Sequence, residues 1–419
     1  CKPALVHSLF SEALKGDAAQ KIAKKLKAGE TATISADSRG EGLAFLDAAV
    51  ASDAALGELR DRMVLFSEPA VLPALIVRNA KIIPVVASPE MEQELAQHRG
   101  SVPSIIVQPK NISSLDPDVS LGTLSYDAFN DALSEMGFDR DEIDRLSHES
   151  GRSVTVLRRR LSRTEAIRTP SWSTDSRYAR FLVPVALAGS WDSRSKTDRD
   201  VLQLIGSKDD YDEIESGQLE LLDLEDSPVW SVGAYRGVVS KIDALFAIRK
   251  QISQSDIERF LEVSELVLSE DDPALDLPED ERWMANIHGK KREISGPLRD
   301  GISETLVLLA VYGRELFQDR LGFEPSHRVS GLVRKLLTPL TGRTLEAHSH
   351  DLPMYAEAAS DEFLSILEDD LAEDNPAVFE LVRPTGGGLW GSSPRTGLLW
   401  ALENIAWAPE RLVRVVDVL

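Results

Sequence analysis

The chain has 419 residues and a mass of 46.1 kDa, a length that suits two to three domains. Hydrophobic residues make up 42% and charged residues 28%, which excludes wholesale disorder and supplies apolar material for more than one core. With 69 acidic against 47 basic residues the formal charge is −22, which argues against a chain-wide nucleic-acid or anionic-membrane surface.

The one cysteine is residue 1, so no disulfide within the chain and no multi-cysteine metal site is expected, as suits a reducing cytosol. No apolar run is long enough for a spanning helix, and the first residues lack the order of a signal peptide. The reading is cytoplasmic, with no membrane partner. The chain starts on Cys1 and ends on an apolar helical stretch, Glu410 to Leu419, without a stop signal. Both features predict an internal piece of a longer protein.

Residues 1–120 predict an α/β core. Strands are expected at 31–36, 63–66, 81–87 and 104–108, with helices at 41–50 and 89–98 between them. Short continuous apolar runs alternating with helices predict a parallel sheet. Pro84 cannot donate to a ladder, which predicts an edge strand or a bulge there.

Residues 121–175 predict a helical lid. Tyr126–Met136 is amphipathic, Asp139 and Glu142 have capping-box spacing, and Ser153–Leu161 forms a further helix. Residues 176–252 predict three helices (178–188, 198–205, 210–222) and then a hairpin (229–232 with 237–240), the order of a small winged-helix-like domain. Residues 253–419 predict an irregular helical array, truncated at its end, with helices at 254–269, 298–318, 328–338, 355–373 and 396–406. The fold class is thus multidomain, α/β plus all-α.

The charge is uneven. Residues 1–150 carry net −8, residues 151–200 net +6, and residues 201–419 net −20. A basic island between acidic blocks marks a junction or an anion site.

A phosphate-binding loop, G-x-x-x-x-G-K-[ST], is absent; the one Gly-Lys pair, Gly289-Lys290, reads as an exposed basic turn. The strand–turn–helix at 31–50 has that loop's topology but not its chemistry. Glu41 takes the place of the lysine and Gly42 that of the magnesium-binding hydroxyl. Ser38, Arg39 and Gly40 still precede a helix N-terminus, where an anion can sit; an ordinary βα turn is the plainer reading. No strand ends on a magnesium carboxylate: Glu68 is the nearest candidate, and Asp116-Pro-Asp118 reads as a turn. In the basic island, Arg152 lies near a helix start and Arg158, Arg159 and Arg160 follow. Such guanidinium groups can clamp phosphate, or form a solvated or acid-paired face. His348-Ser-His350-Asp351 reads as an exposed loop rather than a metal site. Thr385–Gly388 reads as an interhelical loop, and Trp390, Trp400 and Trp407 as core residues.

Several runs carry a resemblance. These are Asp141–Leu146 with Glu149–Leu161, Ala36–Ser38 with Ala44–Leu46, Leu277-Pro278 with Glu281–Trp283, and Ser393–Glu403. They resemble bacterial STAND-type, AAA-like P-loop NTPases. The resemblance implies an NTPase-like core, a lid, a winged helix and a helical sensor array. It implies a large signalling switch of the kind linked to bacterial antiviral defence, with a protein partner or effector domain outside this chain. It carries the lid's nucleotide sensor onto Arg152. The chain departs from the family in its phosphate loop and magnesium carboxylate, so the expected module is regulatory and non-hydrolysing. Two alternatives stay open. One is an active ATP or ADP switch in which Ser38, Arg39 and Gly40 face Arg152, with Arg158 as a further candidate for nucleotide binding. The other is a winged-helix nucleic-acid regulator, which the acid at 209–226 opposes. Homo-oligomerisation is open as well.

Overall fold

The computed structural model describes residues 5–419 except 79–80, 99, 101, 110–116, 123, 165–167, 225–226 and 383–394. Helices of seven or more residues are numbered below. The chain divides into two compact units. The first comprises residues 1–178, 218–232 and 242–247; the second comprises 179–217, 233–241 and 248–419.

The first unit holds a five-stranded sheet. Its strands are β1 (Thr31–Ala36), β2 (Met63–Phe66), β3 (Ile83–Val86), β4 (Ser104–Pro109) and β5 (Val119–Ser120). Their spatial order is β2-β3-β4-β1-β5, and every pair is parallel. The expected parallel sheet is therefore present, with β5 as a short strand the hydrophobic pattern did not announce. Pro84 lies in an interior strand, not at an edge. The β3–β4 ladder covers only Val85–Ile105 and Val86–Ile106, so Pro84 stands ahead of it, while on the other side it lies opposite Val64 of β2.

Alternation along the strands feeds two cores. Ala32, Ile34, Ile83, Val85, Ile105 and Val107 pack on one side of the sheet. Phe66, Val86 and Ile106 pack on the other with Leu72, Met91 and Leu95. The helices supplying these faces are α1 (Ala18–Lys27), α2 (Arg39–Ser52), α3 (Val71–Val77) and α4 (Pro89–Ala96). Gly42 lets α2 lie close to the sheet, because a side chain there would run into Val107. Three more helices follow, α5 (Tyr126–Glu135), α6 (Arg140–Ser150) and α7 (Val154–Leu161). Their apolar faces, through Phe129, Leu133, Ile143, Leu146 and Leu157, join the first core. The 139/142 capping box is formed as expected: Glu142 N–H donates to Asp139 and Asp139 N–H donates to Glu142.

The chain continues with α8 (Ser176–Ala188), β6 (Ser190–Asp192), α9 (Lys196–Gly206), α10 (Tyr211–Leu222), β7 (Val229–Val232), β8 (Tyr235–Val238) and α11 (Lys241–Ile248). Within the second unit β6 pairs antiparallel with β8. The remainder is helical: α12 (Gln254–Leu268), α13 (Gly296–Phe317), α14 (Pro325–Leu337), α15 (Leu352–Ala358), α16 (Ser360–Leu371), α17 (Arg395–Ala406) and α18 (Leu412–Val418). The single helix expected over 355–373 is two, because Ala359 leaves the helical region (φ −149°, ψ 57°). Helix starts are explicit in the sequence: Ser38, Ser88, Ser125, Ser153, Ser195 and Ser253 each accept a backbone N–H of the turn they cap.

Two expectations for this unit are corrected. His348 and Asp351 are buried rather than in an exposed loop. Asp351 pairs with buried Arg299 at 2.7 Å, and Tyr355 Oη bonds His348 Nδ1 at 3.2 Å. A buried guanidinium that also donates to the Val267 carbonyl needs this carboxylate, and the need draws the segment inward. Trp400 (60% exposed) and Trp407 (81%) are not core residues; α17 buries Leu398, Ala401, Leu402 and Ile405 instead. Trp390, Thr385–Gly388 and Asp116 lie outside the described residues.

Candidate functional site

The site is built on the turn between β1 and α2. In this sheet β1 and β4 are neighbours, and the connection from β1 to β2 leaves toward one edge while that from β4 to β5 leaves toward the other. Carboxyl ends of strands at such a reversal are where open α/β sheets take ligands. Ser38 is the N-cap of α2, and its Oγ accepts the Glu41 N–H at 3.2 Å. Glu41 is buried, and its Oε2 accepts the Asp37 N–H at 3.2 Å and the Thr155 hydroxyl at 3.1 Å. Ser38 Oγ and Thr155 Oγ1 are 2.8 Å apart. The N-terminus of α2 thus already holds an anion, supplied by its own first turn.

Arg39 points away from any ligand position. It is 2% exposed and pairs with Glu92 of α4 at 3.2 Å, while Gln108 at the end of β4 donates to the same carboxylate at 2.7 Å. Its role is to fix the start of α2 against α4 and β4. Gly40 faces Arg158: a Cβ on residue 40 would stand 2.8 Å from Arg158 Nη1. Arg158 is exposed on α7, so its guanidinium lies over the α2 N-terminus from the solvent side.

Arg152 sits in the turn between α6 and α7. Its φ of 60° and the 56° of Gly151 put two successive residues in the left-handed region, a strained state for arginine. The Arg152 N–H donates to Ser150 Oγ at 3.1 Å. This reversal turns the chain so that Thr155, in the first turn of α7, meets Ser38. Arg159 and Arg160 both pair with Asp243, at 3.2 and 3.9 Å, and Arg159 lies over Trp172. The basic island is therefore partly an acid-paired face.

Of the five candidate residues, the structure brings Ser38, Gly40 and Arg158 together. Arg39 is in a separate buried pair, and no bond joins Arg152 to the other four among the described residues. Glu68 follows the edge strand β2, with β3 and β4 between that strand and β1. Asp118 accepts the Thr33 N–H at 2.8 Å and pairs with Lys25 at 2.7 Å. Sequence reasoning missed Thr155 and the anion role of Glu41. A signal for Glu41 was present, since Ser38-x-x-Glu41 is a capping-box spacing.

A scan against models of known protein families finds no match, and a search of curated proteins finds none either. Among the described residues no cluster of three or more His, Cys, Asp and Glu side chains could hold a metal ion. None of the described helices is long and apolar enough to cross a membrane.

Proposed function

We propose that the chain is the regulatory module of a STAND-like signalling protein, of the kind linked to bacterial antiviral defence. In this reading its NTPase-like core binds no nucleotide for hydrolysis, and its helical array meets a protein partner and relays that contact to an effector outside this chain. One observation carries the reading: the buried Glu41 carboxylate occupies the N-terminus of α2, where a phosphate would lie. A phosphate oxygen 4 Å from it would meet a repulsion of about 4 kcal/mol at an effective dielectric of 20. The Arg158 guanidinium beside Gly40 opposes that repulsion from the solvent side.

A second reading, an active ATP or ADP switch, is favoured by the Arg158 guanidinium beside Gly40. Calorimetry with ATP and ADP, with and without magnesium, tests both. The regulatory reading expects no heat of binding at millimolar nucleotide and no turnover; micromolar, magnesium-dependent ATP binding with turnover overturns it. The switch reading expects Arg158→Ala or Arg152→Ala to weaken nucleotide binding at least about tenfold, the cost of one charged hydrogen bond. Unchanged affinity rejects it.

A further inference from the structure

The outer edge of β2 is an unfinished sheet edge. Residues 63–66 read Met-Val-Leu-Phe, with neither a charge nor a proline to block pairing. The strand has β3 on one side and no neighbour on the other among the described residues. Met63 packs on the core that holds Val85, and Phe66 on the opposite one, so Leu65 and Val64 take the two faces in turn. Both are exposed, Leu65 at 57%. An added strand would bury an apolar side chain on each face and satisfy the free backbone groups.

We infer that this edge pairs antiparallel with β2 of a second copy of the chain, joining two five-stranded sheets into one. Symmetry limits the register. A two-fold axis along the sheet normal keeps each face continuous, so a residue must lie opposite its own copy. With Leu65 opposite Leu65, Val64 faces Phe66 and Arg62 faces Glu68, once on each side of the axis. The flanking charges are then complementary with themselves. A slip of one residue would put Asp61 opposite Glu68 and join unlike faces. Arg62 Nε donates to the Lys81 carbonyl, ahead of β3, at 2.9 Å, so the contact with Glu68 of the second copy requires this side chain to swing to the outer edge. Glu68 is exposed, and its carboxylate has no partner among the described residues.

Sedimentation velocity on the whole chain over a wide concentration range tests the inference. The expected result is a concentration-dependent dimer. Leu65→Lys should raise its dissociation constant at least about tenfold, with unchanged circular dichroism because the site is exposed. Glu68→Arg should weaken the dimer as well, and adding Arg62→Glu should restore it. In a Cys1→Ser background, Leu65→Cys should crosslink on mild oxidation, since residues directly opposite in an antiparallel pair have Cα atoms about 4.5–5.5 Å apart, within disulfide range. A monomer at every concentration overturns the inference, and so does a dimer indifferent to Leu65→Lys. A dimer in which the Leu65→Cys variant does not crosslink, or which the double charge reversal fails to restore, overturns the register.

Discussion

The hydroxyls of Ser38 and Thr155, 117 residues apart, meet at 2.8 Å and join the first turns of two helices, α2 and α7. Two helix N-termini repel each other through their dipoles. Here the Glu41 carboxylate lies between them, bonded to Thr155 and to the Asp37 N–H. The contact places a buried carboxylate at the carboxyl end of β1 and couples the α6–α7 reversal to that strand.

This contact predicts a measurable coupling. Ser38→Ala removes an N-cap and should cost about 1 kcal/mol, and Thr155→Val a similar amount. The double variant should lose less than the sum, by about 0.5–1 kcal/mol, because the two share partners. Urea unfolding of the four proteins gives the cycle, and strict additivity would contradict the bond.

The Arg299–Asp351 pair predicts an acid limit to stability. Burial alone would raise the Asp351 pKa, but the neighbouring His348 and the Arg299 guanidinium outweigh it and hold it below the usual value. A depressed folded value means that the pairing stabilises fully above the unfolded value of about 3.9 and is lost as pH falls through the folded one. Asp351→Ala should cost about 3–5 kcal/mol at pH 7, since it strands a buried guanidinium. Its urea midpoint should also change less below pH 4 than that of the native chain.

Lys241 has the opposite logic. It is buried against Gly189 and Gly301, its Nζ donates to the Gly301 carbonyl, and Glu304 lies 3.4 Å away. Burial lowers its pKa, with Glu304 opposing. The folded state therefore holds this proton less tightly than the unfolded one. Stability should rise with pH between the depressed value and the unfolded value of about 10.4. Lys241→Met keeps the volume and should abolish that rise, at a cost under about 1.5 kcal/mol, because Gly301 still accepts from Thr305. Lys241→Ala opens a cavity and should cost about 2–4 kcal/mol.

Tryptophan quenching separates the exposed rings from the core. Trp172 and Trp191 are fully buried, whereas Trp400 and Trp407 face solvent. Trp400→Phe and Trp407→Phe should each reduce the iodide-quenchable emission and change stability by no more than about 0.5 kcal/mol. Trp172→Ala should leave the quenchable part unchanged and cost about 3–5 kcal/mol.

Local signals carried much of the architecture. Strands 31–36, 63–66 and 104–108 are legible because short apolar runs bounded by polar turns have few other folds, and the serine caps mark helix starts directly. The site was legible only in part. Ser38 and Gly40 follow from a strand–turn–helix pattern, and Arg158 from a basic run. That Arg39 turns inward to Glu92, or that Thr155 reaches Glu41, depends on partners 53 and 114 residues away.

By itself the sequence determined the alternation of elements, the uneven charge and the lack of a phosphate loop, since these rest on neighbours along the chain. Strand order, the interior place of Pro84, the burial of His348 and Asp351 and the exposure of Trp407 were decided only by tertiary structure. Each depends on which distant face or charge a segment meets, and a fixed local pattern is compatible with either outcome. The charge of −22 shows the same division: composition gives its size, and the fold alone determines that Glu41 is a carboxylate held inside a helix N-terminus.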